Sequence, residues 1–527
     1  LLEELFFFAA LLFWSWIKGH EPSIRGLEKF MDYGFMQSIL NSRYFPPADM
    51  WYSPLPINYY YFGHLMTAVL TKLSGLDLAV TFNLMLATIF ALTLTMSFSI
   101  GIQIGVIRGI GIIGTVGGGI LTAFLVTLAG NMQTIYAFTR GYVGDPPAGG
   151  VQPFWELGWN MGSRGAGSSF AGQVWGEIGE GLNTYWYANA TRFIPFTIHE
   201  FPSYSFVVSD VHGHVLSIPF VLLAIGLLIH IFNRGAHKEN FQFSIFYGFL
   251  VGVLLMTNAL DGPIYLGLLI AVLAIQNSKF KIQNWEWWKE KGVVAIVVLL
   301  VGGLTSLPFL SHFKSFVTGL AVNCPPASAS WRIGPLLFEG VEKCQKSPFW
   351  MLYLLWGFFW FSGAWLIVSK FKIQNLKFKN IHQIEKLLIV LFLFSIALII
   401  FPEFFYFKDI YPMHFRSNTM FKLGYQAFIL FSIVAGYTII ASLKFKIQNS
   451  KFKILRTVFF VVLLPQLFLV SIYPIFSVRS YFNGLRRYEG LDGLSWLARD
   501  YPDDYAAIKW LNNQLSVLGF QLSDRSL

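Results

Sequence analysis

Two carboxylates four residues apart, Glu28 and Asp32 in GLEKFMDYGF, are the first residues of this 527-residue chain whose types and spacing could do chemistry. On a helix this spacing sets both on one face, where like charges disfavour each other. A metal ion or another cationic partner would relieve the repulsion; a plain solvated interfacial helix would need neither. A carboxylate at a dry interface can take a proton from, or orient, an acceptor hydroxyl. A second group stands in TRFIPFTIHEFPSYSFVVSDVHGHV, which holds Arg192, His199, Glu200, Asp210, His212 and His214. Asp210 and His214, at i and i+4, could share a face and ligate a divalent ion, or hold a phosphate through water and histidine. Gly213 between the histidines predicts an irregular helix start. Asp210 could equally be the N-cap of that helix, with the histidines at the interface.

Two further clusters carry polar groups at apolar boundaries. NALDGP, from Asn258 to Pro263, sets Asn258 and Asp261 between two short apolar segments, and a tight turn would explain it as well. FPEFFYFKDIYPMHFRSNTMFKLGYQ holds Glu403, Asp409, His414, Arg416, Asn418, Lys422 and Gln426 ahead of an apolar run. Arg416 and Lys422 could bind an anionic group such as a lipid pyrophosphate, or simply contact headgroups. Tyr59, Tyr60 and Tyr61, followed by His64, and nearby Trp51 offer stacking surfaces for a sugar or an aromatic belt at the membrane surface, the belt being the better account of the tyrosines alone. The chain has no P-loop, dinucleotide fingerprint or HExxH motif, and GTVGGG from Gly114 lacks the Lys-Ser/Thr that a phosphate loop requires.

The elements that must position these residues are membrane helices. Hydrophobic residues make up 55% of the chain and charged ones only 13%, where a soluble protein has about 25%. Runs such as VLLAIGLLIHIF from Val221 have no charge to place on a solvated face, and about 20 apolar residues cross a bilayer core. The composition therefore predicts an all-α, polytopic integral membrane protein. The net charge of +10 is no nucleic-acid signal, because lysines gather between apolar runs. Three near-copies, SKFKIQNWEWWKEK, SKFKIQNLKFKN and LKFKIQNSKFKI, are such loops, and short lysine-rich loops face the cytoplasm.

With those loops inside, helices near 292–309, 349–368, 385–402, 424–442 and 457–474 alternate, and two short helices lie around 244–275. Residues 18–60, 131–207, 310–348 and 403–422 then form the polar external loops of a membrane domain spanning 1–474. Residues 475–527 read as an external polar tail, the truncated start of a C-terminal region. Helices near 60–74, 78–100 and 107–130 would put the opening loop on the opposite side. A broken pair of short helices in IRGIGIIGTVGGG would restore the count, giving about twelve or thirteen helices. Cys324 and Cys344 share one loop and could pair on an oxidising side or remain free thiols.

At these clusters the chain resembles the multi-pass "YYY" proteins, which carry the domain of unknown function 2298. The resemblance rests on INYYYFGH, EKFMDYGF, SRYFPPADMW, ATRFIP, HEFPSYSFVVSDVHGHV, FRSNTMFK and LDGLSWLARDYPDDYAAIKWL, spread over nearly the whole chain. NALDG departs from the NTWD-like segment of that pattern at Ala259 and Leu260, and the lysine-rich segments look foreign to it. The layout is similar to that of GT-C type membrane glycosyltransferases, which use a polyprenyl-phosphate sugar and an acidic motif in the first external loop. That likeness implies Asp32 as the activating carboxylate with Glu28 beside it, and Asp210, His212 and His214 holding a divalent metal ion or the donor phosphate. It implies substrate contacts from Tyr59, Tyr60, Tyr61, His64, Arg192, Glu200, Asp261, Arg416, Asn418 and Lys422, with Arg416 and Lys422 on the anionic leaving group. The implied partners are membrane lipids and a lipid-linked sugar, in the cell membrane. Against this enzyme stand a transporter or flippase of a lipid-linked or anionic substrate, and a non-catalytic assembly protein. Polar clusters at helix ends on one face, rather than at the midplane, favour the enzyme.

Overall fold

A computed structural model describes residues 2–139, 151–157, 169–234, 240–276, 285–326, 331–373, 377, 380–444 and 450–517. Each of the three lysine-rich repeats lies partly outside the described residues. Helix α1 (Leu2–Lys18) leads to α2 (Lys29–Asn41) and α3 (Phe62–Ser74), followed by the long α4 (Leu78–Arg108) and α5 (Ile112–Thr127). After α6 (Phe170–Thr184), the short helices α7 (Pro202–Val208) and α8 (Gly213–Leu216) enter α9 (Ile218–Arg234). Then come α10 (Asn240–Thr257), α11 (Asp261–Ile275), α12 (Trp285–Leu310), α13 (Phe349–Val368), α14 (Gln383–Phe404), α15 (Ser417–Lys444) and α16 (Ser450–Tyr481).

Among the described residues, seven helices are long and apolar enough to cross a membrane, or eight if α5 and the bent turn after it count as one span. The most deeply buried of these is α15, packed against α5, α13 and α14. The shorter apolar helices α1, α5, α10 and α11 lie in the same layer. The helix count near the start is set by α3. It has 13 residues, about 20 Å of helix, against a hydrocarbon core of about 30 Å. It does not cross. Asn83 in the first turns of α4 donates to Pro22 O (2.8 Å) and Leu491 O (3.0 Å), so α4 begins on the face where α1 ends. The glycines of IRGIGIIGTVGGG form the hairpin between α4 and α5 rather than a broken pair of helices. A Cβ on Gly101 would lie 2.8 Å from Gly118 O, so the two helices meet backbone to backbone. The apolar helices α1, α4, α5 and α9 to α16 then alternate between two faces.

The face opposite the polar clusters is clamped by buried charge. Glu385 at the start of α14 meets Arg108 Nε (2.7 Å) from α4, Lys370 Nζ (2.8 Å) after α13 and the Tyr437 hydroxyl (2.5 Å) of α15. On the other face, hereafter the site face, lies a feature absent from the all-helical expectation: a four-stranded sheet. Its strands β1 (Gly319–Val322), β2 (Trp331–Ile333), β3 (Leu336–Phe338) and β4 (Phe405–Lys408) run in the order β2-β3-β1-β4. β1 is parallel to β3 and antiparallel to β4. Phe407 N donates to Thr419 Oγ1, so the sheet fixes the start of α15.

Cys324, just after β1, is disulfide-bonded to Cys344 at a separation of 20 residues, which decides between the two states left open by the sequence. Closing a loop of that size contributes about 3 kcal/mol by restricting the unfolded chain. Replacing both cysteines by serine is therefore expected to lower the unfolding midpoint of the sheet and open it to proteolysis, without loss of the helical layer. Unchanged protease sensitivity in the double variant would count against that role.

Candidate functional site

Asp32 is fully buried on α2, and its Oδ1 accepts from two histidines at once. His64 Nε2 on α3 lies 2.8 Å away and His212 Nδ1 lies 3.1 Å away. The i, i+4 partner Glu28 comes within 3.4 Å of the same His212 nitrogen. One imidazole thus stands between the two carboxylates, as a cationic partner would. Asp32 Oδ2 is buried with no partner among the described residues. Burial alone would raise the Asp32 carboxyl, but the His212 charge and the hydrogen bonds from both histidines hold it below the usual range. His212 moves the opposite way: burial disfavours its charge, and Asp32 more than restores it, so it is protonated well above the ordinary histidine range.

The other His212 nitrogen continues the chain. Tyr59 Oη lies 2.6 Å from His212 Nε2 and donates to Tyr60 Oη, also at 2.6 Å. Tyr60 Oη accepts a second hydrogen bond from Lys422 Nζ of α15 at 3.0 Å. With Tyr59 donating onward, both His212 nitrogens act as donors, which is the hydrogen-bond pattern of an imidazolium. Burial would push the Tyr60 phenol up; the charges of Lys422 and His212 lower it instead. Tyr61 leaves this network and packs edge-on to Phe309 and over Phe45. Two of the three tyrosines therefore serve the polar site, and the third an aromatic contact.

The close approach depends on Gly213. A Cβ there would lie 2.4 Å from Thr257 O and 2.7 Å from the Tyr60 ring, so any side chain would force the histidine turn away from α10 and the tyrosines. The next histidine faces elsewhere. His214 Nε2 is 3.3 Å from Ser205 Oγ, 3.5 Å from Asp210 Oδ2 and 3.9 Å from Glu200 Oε2. Asp210, His212 and His214 therefore do not form one ligand set. Asp210 is shared between two trios, Asp32–Asp210–His212 and Glu200–Asp210–His214, each with its candidate atoms within 4.8 Å. His212 is the extended N-cap residue ahead of α8 and His214 lies inside that helix, so the two rings leave the backbone in different directions. Asp210 is pushed up to about 8 by burial, with Asp32, Glu200 and Glu28 adding to the rise and His212 opposing it.

Several other sequence candidates are engaged outside this pair of trios. Arg192 donates to Glu200 Oε1 at 2.8 Å and flanks the second trio. Asp261 accepts from Ser217 (2.6 Å), Asn258 (3.0 Å) and Gln426 (2.9 Å), which makes it a staple of the α8–α9 junction, α11 and α15. Asn418 donates to Asp409 (2.7 Å). Arg416 is buried against Glu403 (3.0 Å) and Ser347 (3.1 Å), so it and Lys422 make no joint anion clamp. Arg416 stands just before α15 and Lys422 within it, six residues or about 9 Å of helix rise further on. Between Arg416 and Arg192, His199 is buried with both ring nitrogens unpartnered among the described residues, and burial with those two charges drives it down to about 3.

Sequence reasoning missed two lysines, Lys18 and Lys29, that are almost wholly buried at 1% and 2% exposure. Lys29 Nζ donates to Tyr481 Oη at 3.0 Å, and Lys18 Nζ to Glu21 O. Burial brings Lys29 down to about 8, with Glu21 and Asp210 acting the other way. A lysine in the first turn of a helix opposes the helix dipole. That was the signal available in EKFMDYGF.

A family model described as "Uncharacterized membrane protein (DUF2298)" matches residues 1–385 and 373–431. No curated protein matches the chain.

Proposed function

Because the chain belongs to the DUF2298 family of uncharacterized membrane proteins, whose description names no reaction, we propose from the site a function for it: transfer of a sugar from a polyprenyl-phosphate donor to a hydroxyl acceptor at the site face. That face is taken as the external side of the cell membrane, in keeping with a disulfide on it and the lysine-rich loops opposite. The observation that carries the reading is the buried Asp32 carboxylate, oriented by His64 and His212 through one oxygen and with the other unpartnered. Such an oxygen suits a group that receives a proton.

In the proposed step the acceptor oxygen forms a bond to the anomeric carbon and its proton passes to Asp32. The bond from that carbon to the phosphate oxygen breaks, and its electron pair leaves with the polyprenyl phosphate. Positive charge where the phosphate gains negative charge lowers the barrier. Glu28 and Asp32 share His212, which fixes the base; Tyr59 and Tyr60 bring hydroxyls to the same place. A divalent ion fits Glu200, Asp210 and His214, whose donor atoms lie within 4.8 Å and whose His214 Nδ1 is buried without a partner among the described residues, rather than Asp32 and His212, which meet each other's charge. When bound it would supply charge for phosphate oxygens.

The test is incubation of the purified chain with polyprenyl-phosphate sugars of several headgroups and a panel of hydroxyl acceptors, water included. Released polyprenyl phosphate above the protein-free level, reduced by chelation, is expected. Movement of the intact lipid-linked sugar across vesicles, with no release for any headgroup, would replace the enzyme by a flippase.

A further inference from the structure

Lys18 and Lys29 are used by nothing in the proposed transfer, yet burying an ammonium group without an anion is costly. Neither meets a carboxylate within ion-pair distance among the described residues; their hydrogen bonds go to a backbone carbonyl and a phenol. They are close enough to repel each other, with Glu21 and Asp210 felt only through space. The pair therefore lacks an anion.

Next to it runs an apolar groove of about 430 Å³ between α1 and α16, lined by Trp14, Trp16, Ile17, Leu182, Val478 and Leu485. Arg479 at its edge is already held by Leu182 O (3.2 Å) and Asn183 Oδ1 (2.7 Å). Neither lysine lines the groove itself; helix spacing sets each beside one of its walls. Lys18 follows Trp14 at i+4, one turn further along the same side of α1. Tyr481, which accepts from Lys29, follows Val478 at i+3 on α16. The Trp14 indole N–H is buried with no acceptor among the described residues. Apolar walls in the half of the layer next to the site face thus end at two buried lysine amines, and beyond these lies Asp210.

We propose that Lys18, Lys29 and this groove together seat a lipid-anchored phosphate, the chain lying between α1 and α16 and the phosphate oxygens on the two ammonium groups. This deepens the donor reading and rests on it. It assigns the anion to Lys18 and Lys29 rather than to Arg416, whose charge Glu403 already meets. A free phosphate would leave the groove without purpose, so the lipid-anchored form is the occupant.

The experiment is equilibrium binding of labelled undecaprenyl phosphate to the purified chain in detergent micelles. Loss of a hydrogen bond to a charged group predicts about tenfold or more weaker binding in Lys29→Met and Lys18→Met. Val478→Trp, which fills the groove without touching the charges, is expected to weaken binding as much, and Lys29→Arg to restore most of it. Undecaprenol and excess inorganic phosphate should compete poorly. Wild-type binding that no lysine or groove variant alters would overturn this seat and leave the donor reading standing. No wild-type binding at all would overturn the donor reading and this inference together. Displacement by inorganic phosphate as effective as by the lipid would overturn the lipid-anchored occupant.

Discussion

Asp32→Asn is expected to lower release of polyprenyl phosphate by roughly 10²–10⁴-fold, the range for loss of a positioned general base. The asparagine is nearly isosteric and can still accept from His64 and His212 through its carbonyl oxygen. What disappears is the proton-accepting oxygen, Oδ2, which has no other partner among the described residues. The loss should therefore fall on turnover rather than on the donor KM, because the lipid phosphate is assigned to other residues. Turnover in Asp32→Asn within a few-fold of the wild type would remove Asp32 from the chemistry. Glu28 is the contrasting case: its side chain is 60% exposed and contacts the same imidazole at 3.4 Å, so Glu28→Gln should cost much less.

The second large effect is on stability. His212→Phe removes the cation that faces Asp32, which is 0% exposed, and leaves that carboxylate with His64 as its remaining hydrogen-bond donor. Removing one partner of a buried ion pair destabilises by about 3–5 kcal/mol, because the other charge stays behind in a place water does not reach. Thermal or denaturant unfolding of the purified variant in detergent should show this loss. The same substitution breaks the path to Tyr59, and so to Tyr60 and Lys422. Adding Asp32→Asn to His212→Phe removes the stranded charge, so the double variant should be more stable than His212→Phe alone. Strict additivity of the two single effects would mean that the pair is not energetically coupled.

Much of the fold was legible in the chain because its cause is local. Apolar runs without charge predict membrane helices, and their positions at 349–368 and near 385–402 and 457–474 need only composition and length, although the last extends to Ser450–Tyr481 in the fold. The opening helices were harder. The run at 60–74 looks apolar enough to cross, and only the hydrogen bonds of Asn83 to Pro22 and Leu491 show that it turns back on its own face. The small sheet was not legible either, since its strands have three or four residues and one of its pairings joins partners more than 80 residues apart, such as Leu320 with Phe407.

The candidate site divides in the same way. Residue type and i, i+4 spacing singled out Glu28 with Asp32 and Asp210 with His214, because those relations lie within one helical turn. They could not tell that His212 turns toward Asp32 while His214 turns toward Ser205 and Glu200, nor that Arg416 is held by Glu403. Nor could they show that Lys18 and Lys29 are buried, since a lysine at a helix end reads as an interfacial side chain reaching for water. By itself the sequence determined a polytopic helical membrane protein with carboxylates and histidines gathered at helix ends, since hydropathy and short-range spacing are properties of the chain. Only the tertiary structure decided which of those charges meet, because the pairings of Asp32 with His212 and of Tyr60 with Lys422 join segments far apart in sequence and are selected by the cost of leaving a buried charge alone.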